Sequence, residues 1–286
     1  MLELFLNNAR VGLQLYFNNP LRAELMDKLT KAVKDITLKL GADMVGIGSA
    51  EAMDRDANGM QKPDKNLPGT KAIISFGLRM LHSIFKTPNI RISRANYAHL
   101  HEELDNLAWK VSAFLEERGF DAIPIPSAVP VEMMERGGVL GDISHRHAAV
   151  QAGLGRIGLS HNFLHPQLGP RVRLGSVLTT APLVPDEPLN EELCLGEKCR
   201  KCMESCPGKA IYNDRFEVKA CLSVMHKYNL YGLLKHIGKI ISASDHEEKK
   251  RLIFDRTLSE IYMSLRSGDP PFCIKCIEVC PVGYPK

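Results

Sequence analysis

Apolar residues recur at helical spacing from Leu21 to Leu40, at Leu25, Leu29, Val33, Ile36 and Leu40, and Gly41 supplies a stop. The pattern then shortens. Met44-Val45-Gly46-Ile47-Gly48 and Ala72-Ile73-Ile74-Ser75-Phe76 are apolar runs of strand length and predict buried strands. A second long helical period spans Tyr97 to Arg118, with Leu104, Leu107, Val111 and Leu115 on one face and Gly119 after it. Ala122-Ile123-Pro124-Ile125-Pro126 predicts an edge strand or extended loop, because proline has no N–H for a central ladder. Arg171 to Thr180, rich in Val, Leu and Thr, predicts a further strand. Helices and strands alternate, so a sheet covered by helices is expected.

The prolines of Ala181-Pro182-Leu183-Val184-Pro185-Asp186-Glu187-Pro188 cannot sit inside a helix or a central strand, and the predicted domain boundary falls there. Three parts result: an amphipathic extension over 1–20, an α/β domain over 21–190, and a cysteine-bearing domain over 191–286. The last holds a helical insertion over 222–272. Leu230, Leu233, Leu234, Ile237 and Ile241 mark one helix of it. Ser244-Asp245-His246-Glu247 reads as a capping box that starts a second, carrying Leu252, Ile253, Ile261 and Leu265 and ended by Gly268 and Pro270. The extension reads as a docking segment or a subunit contact.

Composition narrows the function. Apolar content of 44% and charged content of 24% are ordinary for a globular protein, and a net charge of +4 is too small to argue for a nucleic-acid partner. No apolar run reaches the length of a membrane span. The first ten residues lack a basic start, a continuous apolar stretch and a twin-arginine pair, so a cytoplasmic location is expected. In a reducing compartment clustered cysteines are metal ligands more readily than disulfides.

All eight cysteines lie from Cys194 onward. The first set is Cys194-x4-Cys199-x2-Cys202-x3-Cys206-Pro207, with Cys221 fifteen residues after Cys206. The second is Cys273-x2-Cys276-x3-Cys280-Pro281. The x2 spacing lets a tight loop wrap a cubane, and proline turns the chain away after the last ligand. In bacterial ferredoxin runs that last cysteine ligates the other cluster. The same exchange gives one [4Fe–4S] cluster from Cys194, Cys199, Cys202 and Cys280. The other takes Cys206, Cys273 and Cys276, with Cys221 as its fourth ligand. Structural zinc is the competing reading, since paired C-x2-C motifs also build zinc ribbons; the Cys-Pro endings and the triple run oppose it.

With these sets in view, the chain resembles the family that joins epoxyqueuosine reductase and the reductive dehalogenases, especially its short double-cluster members. The carriers are Gly41-Ala42-Asp43-Met44-Val45-Gly46-Ile47, Leu67-Pro68-Gly69-Thr70-Lys71, Ser144-His145-Arg146-His147-Ala148-Ala149, Ala152 to Gly158, Gly169 to Gly175, and the cysteines, over roughly 21–286. The resemblance implies an α+β fold: a nitroreductase-like, cobalamin-reductase-type sheet domain, followed by a dicluster, bacterial-ferredoxin-like domain. It also implies base-off cobalamin as the acceptor of cluster electrons. Three departures stand out. The first cysteine spacer is x4 where the family has x2. The family's acidic residue ahead of Ser-Ala-Pro is replaced here by Pro126 before Ser127-Ala128, and a gapless count reaches Val139, leaving Asp142 as a displaced candidate acid. Finally, the sequence stops just after Cys280, without helical repeats for tRNA, so a tRNA partner is not expected.

Gly153-Leu154-Gly155-Arg156-Ile157-Gly158 matches G-x-G-x-x-G, but a dinucleotide site needs a strand before it and an acid about twenty residues on, and position 178 is Leu. Gly153, Gly155 and Gly158 are instead expected to permit a tight turn or the close approach of a bulky ligand. Arg171 and Arg173 alternate, so both face one side of a strand, either as an anion clamp for a cofactor phosphate or as a solvated face. His145 and His147 are poorly spaced for metal ligation on a helix; they read as the start of a helix capped by Ser144, with His145 a candidate proton donor.

Two functions follow. One is a cytoplasmic iron–sulfur reductase that passes electrons to a cobalamin-type cofactor and a small-molecule substrate. The other is a non-catalytic carrier that takes electrons from a donor protein or reductase and feeds a partner enzyme or corrinoid protein. Flavin is supported only by fold analogy.

Overall fold

A computed structural model describes residues 20–56, 61–128, 141–268 and 273–283. Its centre is a four-stranded, wholly antiparallel sheet in the order β1-β2-β6-β3, made of β1 (Met44–Ser49), β2 (Ala72–Arg79), β3 (Ala122–Ile125) and β6 (Val172–Thr179). A two-stranded hairpin, β4 (Arg156–Ile157) with β5 (Phe163–Leu164), stands apart. β3 with its proline is at the edge, as expected; β6, last in sequence, is central.

Strand alternation divides the apolar residues between two faces. On one face Ile47, Ile74, Phe76 and Val177 pack against helix α1 (Pro20–Lys39) through Leu29 and Val33, and against α4 (Ile90–Glu116) through Leu104, Leu107, Val111 and Leu115. On the other, Ile73 and Leu178 meet Ala50 and Met53 of α2 (Ala50–Asp56) and Ala148 of α5 (His145–Gln151). A short α3 (Pro63–Asn66) lies between β1 and β2. The result is a mixed α/β fold around a small antiparallel sheet. Helix α4 starts well before Tyr97, because the Asn89 side chain accepts from the Arg91 N–H at 3.1 Å and caps it.

The proline-rich segment is packed rather than loose. Leu183 is in the core, and Asp186 runs along the open edge of β1, accepting from Ile47 N–H at 2.8 Å and pairing with Lys34 at 2.5 Å. Beyond it come α6 (Lys201–Glu204), α7 (Val218–Met225), α8 (Leu230–Ser242), α9 (His246–Ile253), α10 (Arg256–Arg266) and α11 (Lys275–Glu278). Two details of the insertion differ from expectation. Asp245, not Ser244, caps α9, accepting from Glu248 N–H at 2.7 Å, while the Glu248 carboxylate returns to Ser244. The expected single second helix also breaks after Ile253, where Asp255 caps a new one. Arg94 of α4 donates to Ser264, and Arg91 pairs with Glu260 at 4.0 Å, holding the insertion against the first half of the chain. The extension over 1–19 and Pro270 lie outside the described residues.

Candidate metal centre

The cysteine loops owe their shape to local turns. Cys199 N–H bonds Gly196 carbonyl at 3.1 Å, and Met203 N–H bonds Arg200 carbonyl at 2.9 Å. Gly196, Arg200 and Lys209 take positive φ of 54°, 53° and 47°, so the chain reverses between and after the first ligand positions. Cys221 lies on α7, Cys276 on α11, and Cys280 just beyond it.

The eight thiols, all half-buried and none in a disulfide, fall into two groups by the fields they exert on one another. Burial pushes the Cys202 thiol up to about 11, with charge on Cys194, Cys276 and Cys280 adding to it. Cys221 is likewise pushed up to about 11 by burial, then by Cys276, Cys206 and Cys273. Cys280 is raised by burial and by Cys194 and Cys199, and lowered by a backbone N–H bond and by Arg171. Cys276 is raised by burial and by Cys273 and Cys206, against a hydrogen bond from Asn162 and the field of Arg173. One group is therefore Cys194, Cys199, Cys202 and Cys280; the other is Cys206, Cys221, Cys273 and Cys276. Cys202 and Cys276 link them.

The first group also lines one cavity, whose charged lining residues besides the thiols are Arg200 and Lys201. Among the described residues no three His, Cys, Asp or Glu side chains converge on a single ion position. N–H groups point at the sulfurs: Leu159 N–H at Cys194 and Ala210 N–H at Cys206, both at 3.4 Å, and the Asn162 amide at Cys276 at 3.2 Å. Such donors stabilise thiolate, the form that binds metal.

Arg171 docks the second cysteine set onto the sheet. Only 5% exposed, its guanidinium donates to the carbonyls of Val282 (3.0 Å), Cys280 (2.5 Å) and Glu278 (3.4 Å). Gly169 and Gly283 permit the contact: a Cβ on Gly169 would sit 1.9 Å from the Val282 carbonyl oxygen. Ile277 packs with Met80 and Ile84, and Tyr97, Ile274 and Cys276 close the same cluster. Arg173, two residues on and on the same face, lies 4.3 Å from the Tyr97 ring centroid.

No family model matches the chain. Curated relatives do. A tetrachloroethene reductive dehalogenase from Desulfitobacterium hafniense is 28% identical over 148 residues, 51% of this chain and 24% of its own length. An epoxyqueuosine reductase from Bacillus cereus is 25% identical over 228 residues, 70% of this chain and 57% of its own. Among solved structures, a selenomethionine-labelled epoxyqueuosine reductase superposes with a TM-score of 0.57 at 18% identity, covering 90% of this chain and 66% of that one. A reductive dehalogenase described in terms of B12-dependent dehalogenation gives 0.55 at 20%, covering 90% and 38%. The chain is thus similar in sequence to epoxyqueuosine reductases and reductive dehalogenases, and its fold is like theirs. It spans about a quarter of the dehalogenase relative and little more than half of the epoxyqueuosine reductase relative.

The residues assigned to a cofactor in the family-like loops have other partners. A Cβ on Gly153 (φ 70°) would lie 2.4 Å from the Glu187 carbonyl oxygen, and one on Gly155 2.0 Å from that of Leu164. A Cβ on Gly158 would lie 2.6 Å from the Leu164 side chain. The turn after α5 is thus filled by the chain itself, and Arg171 is committed to carbonyls. These groups form no cradle for a bulky ring or clamp for a phosphate. His145 is half-buried between Ser176 Oγ at Nδ1 and the Pro126 carbonyl at Nε2, each 2.9 Å. The carbonyl can only accept, so Nε2 carries the proton, Nδ1 accepts from Ser176, and burial holds the ring neutral. It pins β6, α5 and the segment after β3. Ser144 stands at the N-cap position of α5, but its hydroxyl bonds His147 at 2.6 Å instead of capping the helix. Asp142 is half-buried, and its carbonyl accepts from Asn66 at 3.2 Å.

Asn162 and the Tyr97–His101–Ser127 group carried no signal in the sequence. His101 Nδ1 meets Ser127 Oγ at 3.1 Å, and burial, then Arg173 and His145, push its pKa down to about 3.

Proposed function

We propose that the chain is an iron–sulfur oxidoreductase that moves electrons through two [4Fe–4S] clusters. The meeting of Cys280 from the second set with Cys194, Cys199 and Cys202 of the first around one cavity carries this reading. One cluster takes Cys194, Cys199, Cys202 and Cys280; the other takes Cys206, Cys221, Cys273 and Cys276. This is the exchange scheme in which the last cysteine of each set crosses over. Four thiols spread around a cavity, and N–H groups aimed at sulfurs of both groups, suit cubanes better than zinc ions. The relatives are reductases, which fits this chemistry. Arg171, Asn162 and Tyr97 seat the cluster-bearing loops against the sheet, so electrons leaving the clusters face the α/β half. The nitroreductase-like and ferredoxin-like descriptions of the two halves, and a cytoplasmic location, belong to the same proposal; no helix among the described residues is long and apolar enough to cross a membrane.

A bound cobalamin would supply the cobalt that accepts these electrons in a reductase of this kind. Gly153, Gly155, Gly158 and Arg171 do not fit that ligand, and no step is assigned to it. Their engagement within the chain favours a second reading, a carrier that delivers electrons to a partner enzyme or corrinoid protein. Anaerobic titration with a quantified reductant tests the common core: uptake of about two electrons per chain, with the EPR of reduced cubanes, is expected. Uptake of none would reject both readings.

A further inference from the structure

Arg173 is a cation without an anion. Its guanidinium lies over Tyr97 and donates to the Val172 carbonyl at 2.8 Å, while its buried Nε has no hydrogen-bond partner. It joins no ion pair among the described residues. A guanidinium withdrawn from water is costly unless opposite charge lies near. Tyr97 packs in one cluster with Cys276, Ile274 and Ile277, so the anion that loading would bring to Arg173 is the Cys276 thiolate with the cluster behind it.

A hydrogen-bond donor reaches the Cys276 sulfur itself. Asn162 gives its amide N–H to Cys276 Sγ at 3.2 Å; the same amide also donates to Ser160 Oγ at 3.0 Å, and the Asn162 backbone carbonyl accepts from Gly158 N–H at 2.9 Å. The other group has no matching pair. Of its neighbouring cations, Arg171 is committed to three carbonyls and Arg200 and Lys201 are exposed to water, while Cys194 receives a backbone N–H at 3.4 Å.

We propose that Arg173 and Asn162 raise the reduction potential of the cluster carried by Cys206, Cys221, Cys273 and Cys276, making it the electron sink of the pair. The inference rests on the two-cluster reading above. Reduction adds one electron to the cubane and makes or breaks no bond. The added negative charge spreads onto the sulfurs, where a fixed cation and an N–H donor stabilise it. The α/β half thereby draws electrons toward the cluster it touches through α4 and the β4–β5 hairpin.

EPR-monitored potentiometry of the iron-loaded protein resolves the two couples, and Cys221→Ala identifies which signal belongs to this cluster. Arg173→Met should lower its reduction constant about tenfold, about 59 mV for one electron, while the other couple stays in place. Arg173→Lys, which keeps the charge, should remain near the wild type, and Asn162→Leu should shift the same couple in the same direction by less. The inference is overturned if Arg173→Met leaves both couples unmoved, moves both equally, or is matched by Arg173→Lys. If Arg173→Met does not retain iron, Asn162→Leu decides alone, and an unshifted couple there rejects the proposal. A wild-type protein with no reducible cluster would instead reject the reading beneath it.

Discussion

Arg171→Ala should undock the second cysteine set. At 5% exposure water cannot replace the guanidinium, so the carbonyls of Cys280 and Val282 lose a charged donor in place. Each hydrogen bond to a charged group contributes about 1.5–3 kcal/mol, and the longer contact to Glu278 at 3.4 Å adds little. Since the contacts share one side chain they do not simply add, and about 3–5 kcal/mol is expected. For a chain of this size that lowers the melting midpoint by roughly 10 °C. The visible absorption of the cluster that includes Cys280 should bleach first, because metal binding and loop folding are coupled. Arg171→Lys should recover only part of the loss, since an ammonium cannot fork between carbonyls. Differential scanning fluorimetry and iron analysis of anaerobically prepared protein read both effects. Had Arg171 been a phosphate clamp, the Ala variant would melt normally and keep its iron; that outcome would refute the docking role.

Three further expectations follow from the same geometry. Cys280→Ala should damage the cluster of Cys199 and Cys202, and Cys221→Ala that of Cys273 and Cys276; EPR showing Cys280→Ala altering only the Cys273–Cys276 cluster would end the exchange scheme. His101, held at about 3 against an ordinary 6.5, binds a proton when unfolded but not when folded across that interval. Its contribution is therefore present above pH 6.5 and lost toward pH 3, at about 1.4 kcal/mol per pH unit, so His101→Gln should flatten the acid limb in denaturant titrations and an unchanged slope would count against it. Gly155→Ala places a methyl 2.0 Å from the Leu164 carbonyl oxygen and should cost about 3 kcal/mol with or without metal; a neutral denaturant midpoint would show that the hairpin yields.

Elements governed by their own periodicity were legible in the sequence. Leu104, Leu107, Val111 and Leu115 form the buried face of α4 because a single helical stripe meets a single sheet face. The start of that helix was not legible, since Ile90-Arg91-Ile92 has no helical apolar period and is held by Asn89 and by contacts to Ser264 and Glu260, some 170 residues away. Two adjacent cap-forming residues, Ser244 and Asp245, made the start of α9 ambiguous by one position. The alternation of Arg171 and Arg173 placed both on one face, but Arg171 meets carbonyls more than a hundred residues on and Arg173 lies over Tyr97 far back in the chain, which no local pattern encodes. The three glycines after α5 signalled a tight turn; that their space is taken by Glu187 and Leu164 depends on how distant segments pack. The cysteine sets were the strongest signal, because covalent spacing itself limits which thiols can share a cluster.

Iron, acid-labile sulfide and zinc analysis of the anaerobically purified protein tests the central claim most directly. Two cubanes on eight cysteines predict about eight irons and about eight sulfides per chain, with negligible zinc. Stoichiometric zinc with little iron or sulfide would contradict the account.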